Sequence, residues 1–428
     1  MNKFKSITVL LPAVVLAAGT VSAAGPTEWA QPAGNDLRVE SLPASTQVAA
    51  PSRHAESQPV SYAWPLSIDD SAPAPAGPAM ESRQYWVDTT GHGLEKGLKL
   101  PLSSPGAIVR ISALNADTGA LLDAERLQVS VDGRSLPITS DAGGLEVITG
   151  RDLQSQGMSV PTDSLAFKLP GQGQADTLSL QLGGAPADQA MVVHIFEPES
   201  PWVGSLSAPR HNYLAGDSIE LNVGLNNGDE RFAAESVQAV LVSPDAAQDW
   251  PLEVTADGFE LTGEVPQELP AAGEGLYEVH AYLQGRQGDT MIRRDLKVAV
   301  DIAVPTARLT ERIRSRDDRG LSVDLGVEVA NSGRYQVSGQ VWGTAADGTL
   351  QPLAMTQTAA VLEPGESQLQ LDVPADLLMA SGLAAPFEVR EVQLLDQGRM
   401  AVLESRSRGF TIGRDPDQPR QPVDTIAQ

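Results

Sequence analysis

The five histidines, His54, His92, His194, His211 and His280, are the side chains best suited to holding a metal or moving a proton. No two stand at the i, i+4 spacing that sets paired imidazoles on one helix face, as in HExxH zinc sites. Solvent-facing or strand-flanking roles are therefore expected for all five. Cysteine is absent, which removes disulfides, thiolate ligands, Cys nucleophiles and a lipidated N-terminal Cys. Gly216-Asp217-Ser218-Ile219 has the Gly-Asp-Ser order of one lipase class, but that chemistry needs the serine on a strand-to-helix turn. Here the serine leads into an alternating apolar stretch, so a turn before a strand is expected. No GxSxG elbow occurs, and Gly91-x-Gly93 followed by Lys96-Gly97 misses both the dinucleotide and the P-loop spacing. No catalytic, cofactor-binding or metal-binding residue is assigned, and no cofactor is expected.

Oxygen chemistry is harder to exclude. Asn115, Asp117 and Gly119 alternate like part of a calcium loop, without the downstream bidentate Glu such loops use; a hairpin tip is expected. Asp317-Asp318, between Arg316 and Arg319, reads as a solvated loop, and weak calcium binding between domains stays open. The run Arg308–Arg319 holds five Arg and no Lys. It is either a partner patch or a set of charges neutralising Glu311, Asp317, Asp318 and neighbouring acidic loops, and the second is expected because local charge runs are usually solvated faces. Trp86, Trp202, Trp250 and Trp342 would stack on sugars if two were exposed and coplanar, but sandwiches bury such residues in their cores. The 55 carboxylates leave room for a hydrolytic pair facing across a groove within about 10 Å.

These residues need a scaffold, and its period is two. Residues 273–305 read as the last hairpin of an immunoglobulin-like sandwich. Leu296, Val298, Val300 and Ile302 alternate with Lys297, Ala299 and Asp301, the pattern of a half-buried strand. The hairpin loop is expected over Gln284–Asp289. Tyr277, two residues before Val279, is a candidate tyrosine corner, whose hydroxyl bonds back to the backbone. Similar alternation at Ile219–Leu225 and Leu321–Val329, with frequent Gly and Pro turns, predicts an all-β chain of three tandem β-sandwich domains at 81–200, 201–303 and 304–413. The one helical stretch expected is Ala375–Ala380.

Residues 1–23 read as a signal peptide: Lys3 and Lys5, the apolar run Ile7–Ala18, then Val21-Ser22-Ala23, with cleavage after Ala23. No later segment approaches membrane-spanning length, so an integral membrane protein is not expected and the periplasm or the cell exterior is. Residues 24–80, rich in Pro, Ala and Ser, read as a linker, partly disordered. Within it Tyr62, Trp64, Leu66 and Ile68 alternate, a strand suited to docking on the next domain's edge. Residues 414–428 read as a disordered tail. With 55 acidic against 30 basic residues and a net charge of −25, nucleic acid is excluded as a partner.

The third domain, at SGRYQVSGQVWGTAADG, LEPGESQLQLDV and PFEVREVQLLDQGR, is similar to a β-sandwich module of secreted bacterial proteins. The whole order, including GLEKGLKLPLSSPGAIVRIS, resembles an uncharacterised family of secreted proteobacterial proteins known only as a domain of unknown function. The resemblance implies three sandwich-like domains and transfers no catalytic residue, because its motifs are turn and core positions. The leading expectation is an exported, non-enzymatic protein that binds or scaffolds an unknown protein or glycan partner. The alternatives are a carboxylate-dependent hydrolase of an extracellular polymer and an accessory to a secreted hydrolase.

Overall fold

The period-two pattern resolves into sheets around three hydrophobic cores. The computed structural model describes residues 27–43, 57–67, 77–114, 122–139, 144–172, 176–269, 275–316 and 320–413. The expected leader at 1–23, His54, Asn115–Gly119, Asp317–Arg319 and the tail at 414–428 lie outside the described residues. The chain is all-β, and none of its described helices is long and apolar enough to cross a membrane.

The first core lies between two antiparallel sheets. One runs in the order Gln84–Thr90, Ala190–Phe196, Ile108–Ala113, Ser164–Lys168, Val147–Thr149; the other runs Leu98–Pro101, Thr177–Leu182, Leu127–Val131, Arg134–Leu136. Val109, Ile111, Met191, Val193, Ile195, Leu178 and Leu180 are buried between them. Their alternate neighbours must face outward, because successive side chains of a strand point to opposite faces. Two short helices unforeseen in the sequence, Gly91–Lys96 and Gly150–Ser155, each begin at a threonine that caps the first turn. Thr149 and Asp152 form a reciprocal capping box, which satisfies backbone donors that a six-residue helix otherwise leaves open.

The second core is enclosed by strands between Trp202 and Ala303. Its closing hairpin pairs Tyr277–Gln287 with Thr290–Ala303. The strands zip past the expected loop, leaving a two-residue turn at Gly288-Asp289, with Gly288 at φ 60°. Positive φ at that place suits the twist of a tight hairpin. The third core lies between a five-stranded and a three-stranded sheet, and the expected helix is present as Ala375–Ser381.

Tyrosine-corner geometry occurs in the third domain, not at the expected position. Tyr335 is fully buried and its hydroxyl donates to the Asn331 carbonyl at 2.6 Å. Tyr277 instead packs its ring against Trp250, 6.2 Å between centroids.

The stretch expected as a linker is largely docked where described. Leu37 and Val39 join the third core, and Leu37 exchanges backbone hydrogen bonds with Ser405. Trp29 packs edge-on against Phe410 at 5.3 Å, beneath the Arg406 guanidinium at 4.0 Å. Val60–Pro65 adds an antiparallel strand to Leu350–Leu362, on the third domain and not the next one along the chain. Ala79–Ser82 pairs with Trp202–Ser207 of the second. A sheet edge offers a row of unpaired N–H and C=O groups, and any extended segment long enough to reach it can satisfy them.

The first and second domains meet at a buried ion pair. Arg294 Nη1 lies 2.8 Å from Glu197 Oε2, and both side chains are essentially inaccessible. All five guanidinium protons find acceptors: the Trp202 carbonyl, Glu197, the Arg293 carbonyl, Ser103 Oγ and Ser200 Oγ. Glu197 also accepts from the Ser103 and Ser104 amides and the Ser103 hydroxyl. Gly204 makes room: a Cβ there would lie 2.7 Å from Arg294 Cβ. Beside the pair, buried Asp295 accepts the Trp86 amide at 2.8 Å. Burial pushes its carboxyl up from 3.8 to about 6.

Two outcomes follow. Arg294→Met leaves Glu197 buried without its cation and should cost about 3–5 kcal/mol in urea denaturation. Arg294→Met/Glu197→Leu should recover only part of it, because the Ser103 and Ser104 amides and the Trp202 carbonyl then lack partners; a double-variant loss equal to the sum of the two single losses would contradict the ion-pair account. Asp295→Asn should test the raised carboxyl. Because the folded state holds a proton that the unfolded chain releases, wild-type stability falls as pH rises from about 4 to 6. The variant should therefore gain up to about 3 kcal/mol over wild type above pH 6 and nothing below pH 4.

Candidate functional site

The outward face of the first domain's five-stranded sheet forms a groove of about 830 Å³. Strand register builds it. One cross-strand row runs Trp86, His194, Arg110, Ala166, Ile148; the next runs Gln84, Phe196, Ile108, Lys168. These residues alternate with the core positions Val109, Ile111, Val193 and Ile195, so the strand period that fills the core also populates the groove. The far wall comes from the helix Gly150–Ser155 and the chain behind it, through Leu153, Met158 and Val160. Gln154 Nε2 donates to the Val160 carbonyl at 2.8 Å and holds that wall in place. Gly150 lets the helix sit close, since a Cβ there would meet the backbone oxygen of Pro161.

The walls are mostly aliphatic and the polar groups are few: Arg110, His194, Lys168 and Glu146. Arg110 Nε is buried and has no hydrogen-bond partner among the described residues, an expensive state for a charged group unless a ligand or solvent relieves it. His194 Nε2 lies 2.9 Å from Gln84 Oε1; an amide oxygen only accepts, so Nε2 carries the proton. The imidazole leans against Trp86, 5.7 Å between ring centroids. Burial, and then the Arg110 charge, lower its pKa from 6.5 to about 4, so His194 is neutral at pH 7. Apolar walls with a small number of convergent polar groups and one perturbed titratable residue are the usual make-up of a binding pocket.

Of the described residues flagged in the sequence, only His194 lines the groove, with Trp86 adjoining it. His92 and His211 are exposed, and His280 Nε2 lies 2.8 Å from Glu278. Asp217 accepts from the Leu214 amide and Arg210, holding a turn, while Ser218 enters the strand Ser218–Asn227. Gly91, Gly93 and Lys96 belong to the short helix, which Gly97 ends. Among the described residues no three His, Asp or Glu side chains are grouped to hold a metal. The four tryptophans are dispersed: Trp202 is buried against Phe232, Trp250 packs on Tyr277, and Trp342 lies under Arg390. Within the Arg run, Arg308, Arg312 and Arg316 pair with Glu328, Glu366 and Asp324 on other strands of the same sheet. Sequence reasoning missed Arg110, Lys168, Phe196 and Met158. Arg110 did carry a signal, as a lone cation inside the apolar run Ala107–Ser112.

Residues 51–197 match the domain described as "Domain of unknown function (DUF4785) N-terminal domain", and residues 306–412 match the corresponding C-terminal domain. A crystal structure of a DUF4785 family protein from Legionella pneumophila is similar with a TM-score of 0.68 at 18% identity, over 88% of this chain and 99% of that one. At that identity the likeness speaks for the fold. A DUF3823 family protein from Bacteroides ovatus aligns over 42% of this chain and 89% of its own at 12% identity, with a TM-score of 0.16, too low to argue from. No curated protein matches.

The neutral His194 is directly measurable. In histidine ¹⁵N titrations one resonance should have its midpoint near 4 and should move toward 6.5 in Arg110→Gln, because one lowering charge has been removed. A His194 midpoint at 6.5 in the wild type would rule out this electrostatic description of the groove.

Proposed function

The chain belongs to the DUF4785 family, and on that premise we propose that it is an exported, non-enzymatic binding protein whose ligand site is the groove on the first sandwich. One observation carries the reading: a large, mainly aliphatic groove with an arginine in it whose Nε has no partner among the described residues. Such a site gains by desolvating a ligand's apolar part and by giving the guanidinium an acceptor. The hydrolase alternative asks for two carboxylates facing one another, and among the described residues lining this groove Glu146 is the single carboxylate. Export rests on the leader-like residues 1–23, and a cysteine-free chain needs no disulfide chemistry after secretion. The second sandwich, locked to the first through Arg294, and the third, which carries the docked strand Val60–Pro65, serve as the frame that presents the groove.

The test is affinity capture from the host's own cell envelope and medium, using wild type beside Met158→Lys, with bound species identified by mass spectrometry. Met158 is exposed at 45%, so a lysine there sets a hydrated charge against the apolar wall without disturbing the core. A species retained by wild type and lost from the variant is expected. Equal retention by both would remove the groove from the function, and turnover of an extracellular polymer by pure protein, abolished by one carboxylate substitution, would replace binding with catalysis.

A further inference from the structure

We infer that the groove takes a monoanionic amphiphile: an unbranched acyl chain ending in a carboxylate. This rests on the groove being a ligand site, and it names the ligand's class from how the two rows are divided. Arg110 is set in the middle strand of the sheet, flanked in register by His194 and Ala166. Its buried Nε, without a partner among the described residues, belongs to a planar fork of donors that matches a carboxylate bidentately. His194 is neutral at pH 7 and adds no second charge. Lys168 stands exposed on the same face and supports an anion, while Glu146 at the rim repels one. That balance suits a single negative charge and disfavours a dianionic phosphate.

The remainder of the lining is apolar and mostly aliphatic. Ile108, Ile148, Leu153, Met158 and Val160 present branched or flexible carbon surfaces, with Phe167 and Phe196 as the aromatic rings of the lining. A sugar would need several polar contacts and a stacking pair, and the dispersed tryptophans do not supply the pair. A methylene chain needs only apolar area and a wall that adapts to its kinks. Met158, unbranched and 45% exposed, is such a wall. The 830 Å³ volume falls in the range of sites that enclose whole small molecules.

The experiment is calorimetric titration of the full chain with saturated fatty acids of 8 to 14 carbons below their micellar concentrations, beside the matched alcohols and alkyl trimethylammonium salts. Each added methylene should tighten binding about three- to fourfold. The alcohols should bind at least about tenfold more weakly than the acids, and the ammonium salts more weakly again. Arg110→Gln should make acid and alcohol bind alike, Arg110→Lys should restore part of the difference, and Met158→Lys should flatten the chain-length dependence. Melting curves like the wild type's show that the variants are folded. Acid binding undiminished in Arg110→Gln, or equal binding of ammonium and acid, overturns the inference. Failure of every acyl compound to bind also overturns it, while the capture comparison between wild type and Met158→Lys decides separately whether the groove binds something else.

Discussion

The Arg294–Glu197 pair is the constraint on which the arrangement of the first two domains depends. Two opposite charges sealed from water are costly unless every donor and acceptor is met, and here the five guanidinium protons and four contacts to the carboxylate are all accounted for. The partners come from three places: the loop at Ser103-Ser104, the link from Glu197 to Trp202, and the last strand of the central hairpin. Moving either domain by a few ångströms would strand several polar groups at once. Such a network resists small displacements more sharply than a patch of apolar contacts, whose energy changes gradually with distance. Its main consequence is one defined docking, with Trp86 tied to Asp295 directly beside it.

That fixed docking matters for the groove, because Trp86 lies at one end of the row that continues through His194 and Arg110. Holding the Gln84–Thr90 strand against the second domain holds the edge of the sheet from which the groove is made. The opposite wall is secured differently, by a capped single-turn helix and a side-chain bond to the following loop. One side of the groove is thus anchored by tertiary packing and the other by local hydrogen bonds. The exposed, unbranched Met158 is on the locally held side, where adjustment to a ligand costs least.

The N-terminal stretch ties the far end of the molecule to its beginning. Trp29 under Arg406, Leu37 paired with Ser405 and Val60–Pro65 on the third domain's sheet edge connect residues about 290 to 380 positions apart in sequence. The edge is covered, which removes a template for unwanted strand pairing. Arg406 is itself held by buried Glu404, which also accepts the Leu309 amide. Burial raises the Glu404 carboxyl and Arg406 opposes the rise. The third domain therefore repeats the device used between the first two, a buried acid shared between an arginine and a backbone amide.

The β class, most strand positions, the helix near Ala375 and the membership in an uncharacterised family are legible along the chain. These depend on period-two alternation, turn residues and local motifs, which are properties of neighbouring residues. The sequence also holds the fact that Arg110 interrupts an apolar run, though nothing local says whether such a cation faces solvent, a partner or a cavity. Tertiary packing decides that Glu197 meets Arg294, that Tyr335 and not Tyr277 forms the tyrosine corner, and that Val60–Pro65 docks on the third domain. It also decides that Trp86, His194 and Arg110 share one row. Register between strands sets each of these, and register is chosen by the combined burial of whole sheets, which no window along the chain contains.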